Sequence, residues 1–148
     1  MSIPKIIHYC WFGSDTIPKK AQKCIESWKK FCPEYKIVCW NEKNFDISSN
    51  RYVKEAYELG KWAFVSDYVR LKAIYEHGGI YLDTDVELIK PLDALLEGEG
   101  YMGFDEKGIV ATGLGFAATP KHELIKNMLS DYDEIPFVLE DGSFDMTP

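Results

Sequence analysis

The sequence predicts an α/β fold with a mainly parallel central sheet flanked by helices. Three observations carry that expectation. Apolar and β-branched runs at Lys5–Phe12, Lys36–Trp40 and Ile80–Leu82 read as buried strands. Helical periodicity separates them. The connections are short, as expected when strands run parallel and each crossover is a helix.

The first strand ends at Gly13. Pro18 suits a first helical turn, and Ala21, Cys24, Ile25 and Trp28 follow at i, i+3, i+4 and i+7 until Pro33 closes the helix. Lys36–Trp40 is the second strand. A short helix is expected over Asn50–Leu59, closed by Gly60. A longer one spans Trp62–His77, with an apolar stripe of Phe64, Tyr68, Leu71 and Tyr75 and a left-handed stop at Gly78 and Gly79. Ile80–Leu82 leads into Asp83, Thr84 and Asp85, and Val86–Ile89 continues extended to Pro91. Ligands of open α/β sheets gather at such strand ends. Further strands are expected at Tyr101–Phe104 and Gly115–Ala118, and a helix at His122–Ser130. Residues Glu140–Pro148 are polar and turn-like, so the chain reads as one domain, 1–148, cut inside a larger catalytic domain.

The chain has 148 residues, 46% hydrophobic and 14% aromatic, which is enough apolar material for a single core. Its net charge is −7, from 24 acidic against 17 basic residues, with no basic run of the kind phosphate backbones demand. Nucleic acid is therefore excluded as a partner. An acidic chain can still hold a diphosphate if a divalent cation stands between carboxylates and phosphates. Cys10, Cys24, Cys32 and Cys39 form no C-x-x-C pair and sit among apolar neighbours, which reads as reduced thiols in the cytoplasm. No window approaches the ~18 apolar residues a membrane span needs.

In an extended segment Asp83 and Asp85 project to one side and Thr84 to the other, so both carboxylates can meet one cation. Hard oxygen ligands favour Mn²⁺ or Mg²⁺. A bare D-x-D is common, and Asp131-Tyr132-Asp133 is a second copy that reads as a solvated helix end. Context separates the two, because Asp83 emerges from an apolar strand where unpaired charge is costly. Asp67 and Arg70, three apart on the long helix, either face a pocket edge or form an ordinary surface pair contributing only ~0.2–0.5 kcal/mol. Arginine's planar fork matches phosphate oxygens and sugar hydroxyls. Trp11 beside Gly13 can stack on a flat base or belong to the core. His8 reads as a satisfied core histidine. Trp40, Asn41 and Glu42 close the second strand within reach of a nucleotide, although Asn41 is equally at home in a turn.

Taken together, Ile6-Ile7-His8-Tyr9-Cys10-Trp11-Phe12-Gly13, Trp40-Asn41-Glu42 and the block AFVSDYVRLKAIYEHGGIYLDTD from Ala63 to Asp85 resemble glycosyltransferase family thirty-two. That family has a DXD-containing sugar-binding region and includes capsular polysaccharide enzymes; the large bacterial glucosylating toxins are similar at greater distance. The resemblance implies a GT-A fold, a nucleotide-diphosphate sugar donor, usually a UDP-sugar, a saccharide acceptor, a Mn²⁺ or Mg²⁺ cofactor and retention at the anomeric carbon. By position it implies that Trp11 stacks on the base and that Asp67 and Arg70 hold donor sugar and diphosphate. Asp83 would meet ribose and the metal's water shell beside Thr84, Asp85 would coordinate the metal, and Gly113 would approach the acceptor.

Two other readings share these residues. Tyr81-Leu82-Asp83-Thr84-Asp85-Val86 also imitates a haloacid-dehalogenase-type phosphatase with Asp83 as nucleophile, and Glu140-Asp141 offers a faint downstream acidic pair. In that fold the motif opens the domain, whereas here two strands precede it. The second alternative is a non-catalytic fragment that binds a UDP-sugar without turning it over.

Overall fold

The computed structural model describes residues 3–13, 16–89, 91–93, 100–102 (backbone path) and 115–132. Gly113, Asp133, Phe104 and the segment from Glu140 to Pro148 lie outside the described residues.

Five strands, β1 (Ile6–Cys10), β2 (Lys36–Trp40), β3 (Gly79–Leu82), β4 (Gly100–Met102) and β5 (Gly115–Ala118), form one sheet in the order β2-β1-β3-β5-β4. The parallel character expected from sequence holds for β2-β1-β3. It ends there, because β5 runs antiparallel to β3 and β4 antiparallel to β5, so the sheet is mixed. Among the described residues four α-helices cover it, α1 (Lys19–Phe31), α2 (Arg51–Glu58), α3 (Trp62–His77) and α4 (Glu123–Ser130), with one short 3-10 helix at Ile47–Ser49.

Strand alternation divides the core. Ile7 and Tyr9, with Ile80, Leu82 and Ala117, pack against Ile25 and Trp28 of α1. Cys10, Tyr81 and Phe116 face the other way, into a cluster with Val53 of α2, Val65 and Val69 of α3, and Ile125 of α4. The expected stripe on α3 is only partly right. Phe64 and Tyr75 are half-buried, while Val65, Val69 and Ile74 are fully buried, because α3 is enclosed by the sheet, α2 and α4 together.

The turn from α3 into β3 explains Gly78-Gly79. Both residues have positive φ, 69° and 115°. A Cβ on Gly79 would lie 2.6 Å from the Ile6 carbonyl oxygen. Only glycine gives β3 its hydrogen-bonding distance from β1 here. Asn50 caps α2, accepting from the Val53 amide at 3.1 Å while its Nδ2 donates to the Tyr132 carbonyl at 3.0 Å.

His8 is the core histidine that the sequence suggested. Its Nδ1 accepts from Trp40 Nε1 at 3.0 Å, so Nε2 carries the proton and donates to the Gly78 carbonyl at 2.9 Å. Burial pushes its pKa down to about 4, with His77 and Lys36 nearby acting in the same direction against the Gly78 bond. An unfolded chain, with histidine near its ordinary 6.5, takes up a proton that the fold refuses. Stability from this site is therefore complete above that pH and is lost as pH falls towards 4, by about 3 kcal/mol in all. Urea unfolding at pH 7 and pH 4.5 should show this loss in the wild type and a flatter dependence in His8→Gln. Equal slopes would refute it.

Candidate active site

Chain order and sheet order bring the C-terminal ends of β1 and β3 side by side, and α3 crosses the same edge. An open cleft of about 490 Å³ lies there. From β1 and beyond come Cys10, Trp11 and Phe12, and α3 contributes Trp62, Ala63, Ser66 and Arg70. Tyr81, Asp83, Thr84 and Asp85 complete the lining from β3.

Arg70 is the electrostatic centre. It is 9% exposed, and its Nε donates to the Ser66 carbonyl at 3.2 Å. Its Nη2 lies 3.4 Å from Asp67 Oδ1 and 3.4 Å from Asp83 Oδ1. Its guanidinium carbon stands 4.6 Å over the Tyr81 ring. Burial opposes its charge, but Tyr81, Asp83 and Asp67 outweigh that and hold it firmly as a cation. Burial raises Asp83 above the ordinary carboxylate range, Arg70 pulls it back down, and Asp85 pushes it further up. Asp67 is likewise raised by burial and lowered by Arg70.

The acidic pair is built differently from the extended geometry expected. Asp83 to Val86 forms a turn, with the Val86 amide donating to the Asp83 carbonyl at 3.1 Å, and Val86–Ile89 is not a strand. Contacts from α1 impose this path. Trp28 Nε1 donates to the Val86 carbonyl at 2.8 Å, and the Leu88 amide donates to Ser27 Oγ at 2.9 Å. The turn lets Asp83, Thr84 and Asp85 all reach the cleft, where alternation would have turned Thr84 away.

The predicted residues fall into three groups. Trp11, Arg70, Asp83, Thr84 and Asp85 share the cleft. Asp67 is not among the cleft-lining residues and meets them through Arg70. Trp40 and Glu42 belong to the support: Trp40 holds His8, and Glu42 Oε2 accepts from the Gly13 amide at 2.7 Å and from the Tyr57 hydroxyl at 3.0 Å. Asn41 is the turn residue, its Oδ1 accepting from the Lys43 amide at 2.9 Å. Asp131 is an exposed residue at the end of α4, as a solvated helix end should be.

Sequence reasoning missed Trp62, Ser66 and Cys10 as cleft residues. Trp62 carries a readable signal, an aromatic at the first position of a helix, and the structure leaves 37% of its surface exposed. Its ring packs edge-on to Tyr57, 5.2 Å between centroids. It also covers Gly13, where a Cβ would come within 2.7 Å of the indole.

A metal fits the donor set. Arg70, Asp83 and Asp85 are the charged residues lining the cleft, one cation against two carboxylates, so an anionic diphosphate would meet net negative charge. A divalent cation reverses that balance. Among the described residues no group of three or more His, Cys, Asp or Glu side chains could hold a metal. Two carboxylates, with the remaining positions left to water and phosphate oxygens, is the Mg²⁺-type pattern.

Fold and cleft together define a GT-A glycosyltransferase domain, and comparison with known proteins agrees. The family model described as glycosyltransferase sugar-binding region containing DXD motif matches residues 18–101, and the chain belongs to that family. Inositol phosphoceramide mannosyltransferase 1 of Schizosaccharomyces pombe is 28% identical over 132 residues, covering 83% of this chain and 40% of the relative. Inositol phosphoceramide mannosyltransferase 3 of the same yeast is 33% identical over 129 residues, covering 78% of this chain and 34% of the relative. The chain thus spans less than half the length of these curated relatives. The solved structure of the PaToxG glycosyltransferase superposes with a TM-score of 0.69 at 22% identity, covering 87% of this chain and 60% of that one. Family membership removes the ground for the phosphatase alternative.

Proposed function

We propose that this chain binds a nucleotide-diphosphate sugar in the cleft between Trp11, Arg70 and Asp83–Asp85, as the donor half of a retaining, metal-dependent hexosyltransferase. The carrying observation is the convergence of one buried arginine and two strand-end carboxylates on a cleft walled by Trp11 and Trp62. The family resemblance supports a uridine donor, and the names of the two mannosyltransferase relatives support a mannosyl group. The acceptor is a saccharide or polyol hydroxyl in capsular or surface glycoconjugate synthesis. Four free thiols suit a reducing compartment, the cytoplasm.

Trp11 and Trp62 offer faces for the base and sugar, and Glu42 fixes the Gly13 loop that carries Trp11. In the reaction the bond from the anomeric carbon to the diphosphate oxygen breaks with its electron pair going to the diphosphate. The acceptor oxygen bonds to that carbon, and the hydroxyl proton passes to the departing diphosphate oxygen. Arg70 is the protein's cation for that growing negative charge and needs no reorganisation, being held already by Ser66, Asp67 and Asp83. Asp85, with Asp83 through a water shell, would hold Mn²⁺ or Mg²⁺, which supplies Lewis-acid stabilisation of the leaving group when bound. The described cleft needs no enzyme nucleophile for this front-face displacement.

The test is calorimetric titration of UDP and, separately, GDP into the protein with Mn²⁺ and then with EDTA. Metal-dependent binding of either nucleotide is expected. A chain that binds neither in Mn²⁺ would contradict the reading. A chain that binds but never releases free sugar from a nucleotide-sugar donor would favour the non-catalytic fragment.

A further inference from the structure

Glu42 and Tyr57 do not line the cleft, yet both are bound into the wall that carries its two tryptophans. Gly13 follows β1, Glu42 follows β2, Tyr57 belongs to α2 and Trp62 opens α3. Glu42 Oε2 accepts from the Gly13 amide and from the Tyr57 hydroxyl. The Tyr57 ring stands edge-on to Trp62. Trp62 in turn lies against Gly13, its indole filling the side where a Cβ would stand. The four residues therefore close a ring of contacts, Gly13 to Glu42 to Tyr57 to Trp62 and back to Gly13.

Each link has a local cause. The Trp11 amide donates to the Trp40 carbonyl at 2.9 Å, where both strands have just ended. The bond from Gly13 to Glu42 ties the same two chain segments again, two residues further on. Gly13 takes a φ of 99°, which suits glycine and leaves Trp62 its place. The turn from α2 to α3 keeps Tyr57 beside Trp62, because the Gly60 amide donates to the Tyr57 carbonyl at 3.0 Å and the Lys61 amide to the Ala56 carbonyl at 2.9 Å. Burial pushes the pKa of Glu42 up, but hydrogen bonds, the Gly13 amide's first among them, outweigh that and hold it below the ordinary carboxylate range. Bonds to a charged carboxylate are about twice as strong as neutral ones.

We infer that Glu42 and Tyr57 are positioning residues for the donor's nucleoside: without touching the ligand, they fix the spacing between Trp11 and Trp62. This rests on the donor reading of the cleft. The phosphate-binding groups have other supports. Arg70 is held by Ser66, Asp67 and Asp83, and the acidic turn by Trp28 and Ser27. Loss of the Glu42–Tyr57 bond thus loosens the aromatic walls and leaves the metal and diphosphate grip standing.

Calorimetry tests this in Mn²⁺, with UDP and GDP titrated into wild type, Tyr57→Phe, Glu42→Ala, Glu42→Gln and the double variant E42A/Y57F. Both the dissociation constant and the number of binding sites are read, because a purely structural defect removes competent molecules without changing the affinity of those that remain. Tyr57→Phe keeps the ring against Trp62 and loses only the hydroxyl, so about threefold weaker nucleotide binding is expected. Glu42→Ala should bind about tenfold more weakly, and E42A/Y57F no more weakly than Glu42→Ala, since both changes break the same link. Glu42→Gln retains an acceptor oxygen and should recover most of the affinity. Wild-type dissociation constants in both Tyr57→Phe and Glu42→Ala, losses that add in the double variant, or glutamine no better than alanine would each overturn the inference. Tyr57→Phe alone decides it if Glu42→Ala does not fold. A wild type that binds neither nucleotide is a different result, and defeats the donor reading itself.

Discussion

Arg70→Met should weaken donor turnover by about 10²–10³-fold, the effect of removing one preorganised charge donor from a leaving-group site. The side chain is replaced by one of similar length, so the wall of the cleft remains and the cation is lost. Asp67 and Asp83 then face each other without it. Their side chains are 30% and 28% exposed, so water takes over part of their solvation. The stability cost is accordingly about 2 kcal/mol, below the roughly 3–5 kcal/mol of a fully buried broken pair. The rate of sugar release from a nucleotide-sugar donor and urea unfolding of the same variant separate the two effects. Arg70→Lys should fall between wild type and methionine, because it restores a charge without the fork that spans Asp67, Asp83 and the Ser66 carbonyl. Undiminished sugar release from the donor in Arg70→Met would remove Arg70 from the leaving-group site.

The largest loss of stability is expected at Trp28, which is wholly buried between α1 and the sheet. Trp28→Ala should cost about 3–5 kcal/mol through cavity formation. Trp28→Phe is the more informative change. It keeps an aromatic ring against Tyr9 but deletes the N–H that holds the Val86 carbonyl. A stability loss near 1 kcal/mol is expected, together with metal-dependent nucleotide affinity about 5–10-fold weaker, because the turn carrying Asp85 is released on one side. If affinity stays at the wild-type value while stability drops, the α1 contact supports the fold alone and does not set the geometry of the acidic turn.

Elements governed by local signals could be read from the sequence. The bounds of β2 and α3 coincide with those expected, because β-branched runs, a helix-stopping glycine pair and short connections are properties of neighbouring residues. Trp11, Arg70, Asp83 and Asp85 could be grouped only through the resemblance to glycosyltransferase family thirty-two, since the residues alone left Trp11 and Arg70 open between site and structure and turned Thr84 away. What could not be read depends on distant partners. The acidic turn is set by Trp28 and Ser27, 58 and 61 residues from Val86 and Leu88. Nothing local to Thr84 and Asp85 distinguishes that turn from a continuing strand. Glu42 sits next to Asn41 and looked like a nucleotide contact, yet its carboxylate serves the Gly13 amide 29 residues away. The reversal of β5 is also invisible to periodicity, since a four-residue apolar run buried on both faces reads the same in either direction.

The most direct measurement of the central claim is metal-dependent nucleotide binding in Asp85→Ala beside Asp131→Ala. Both remove an aspartate of a D-x-D triplet, but Asp85 lines the cleft and Asp131 ends α4 on the surface. Loss of a direct metal ligand should weaken Mn²⁺-dependent UDP or GDP binding at least about a hundredfold in Asp85→Ala, beyond the effect of losing an outer-shell partner, and leave Asp131→Ala unchanged. Equal binding in the two variants, or Mn²⁺-dependent binding that survives without Asp85, would contradict a donor site built on Asp83–Asp85.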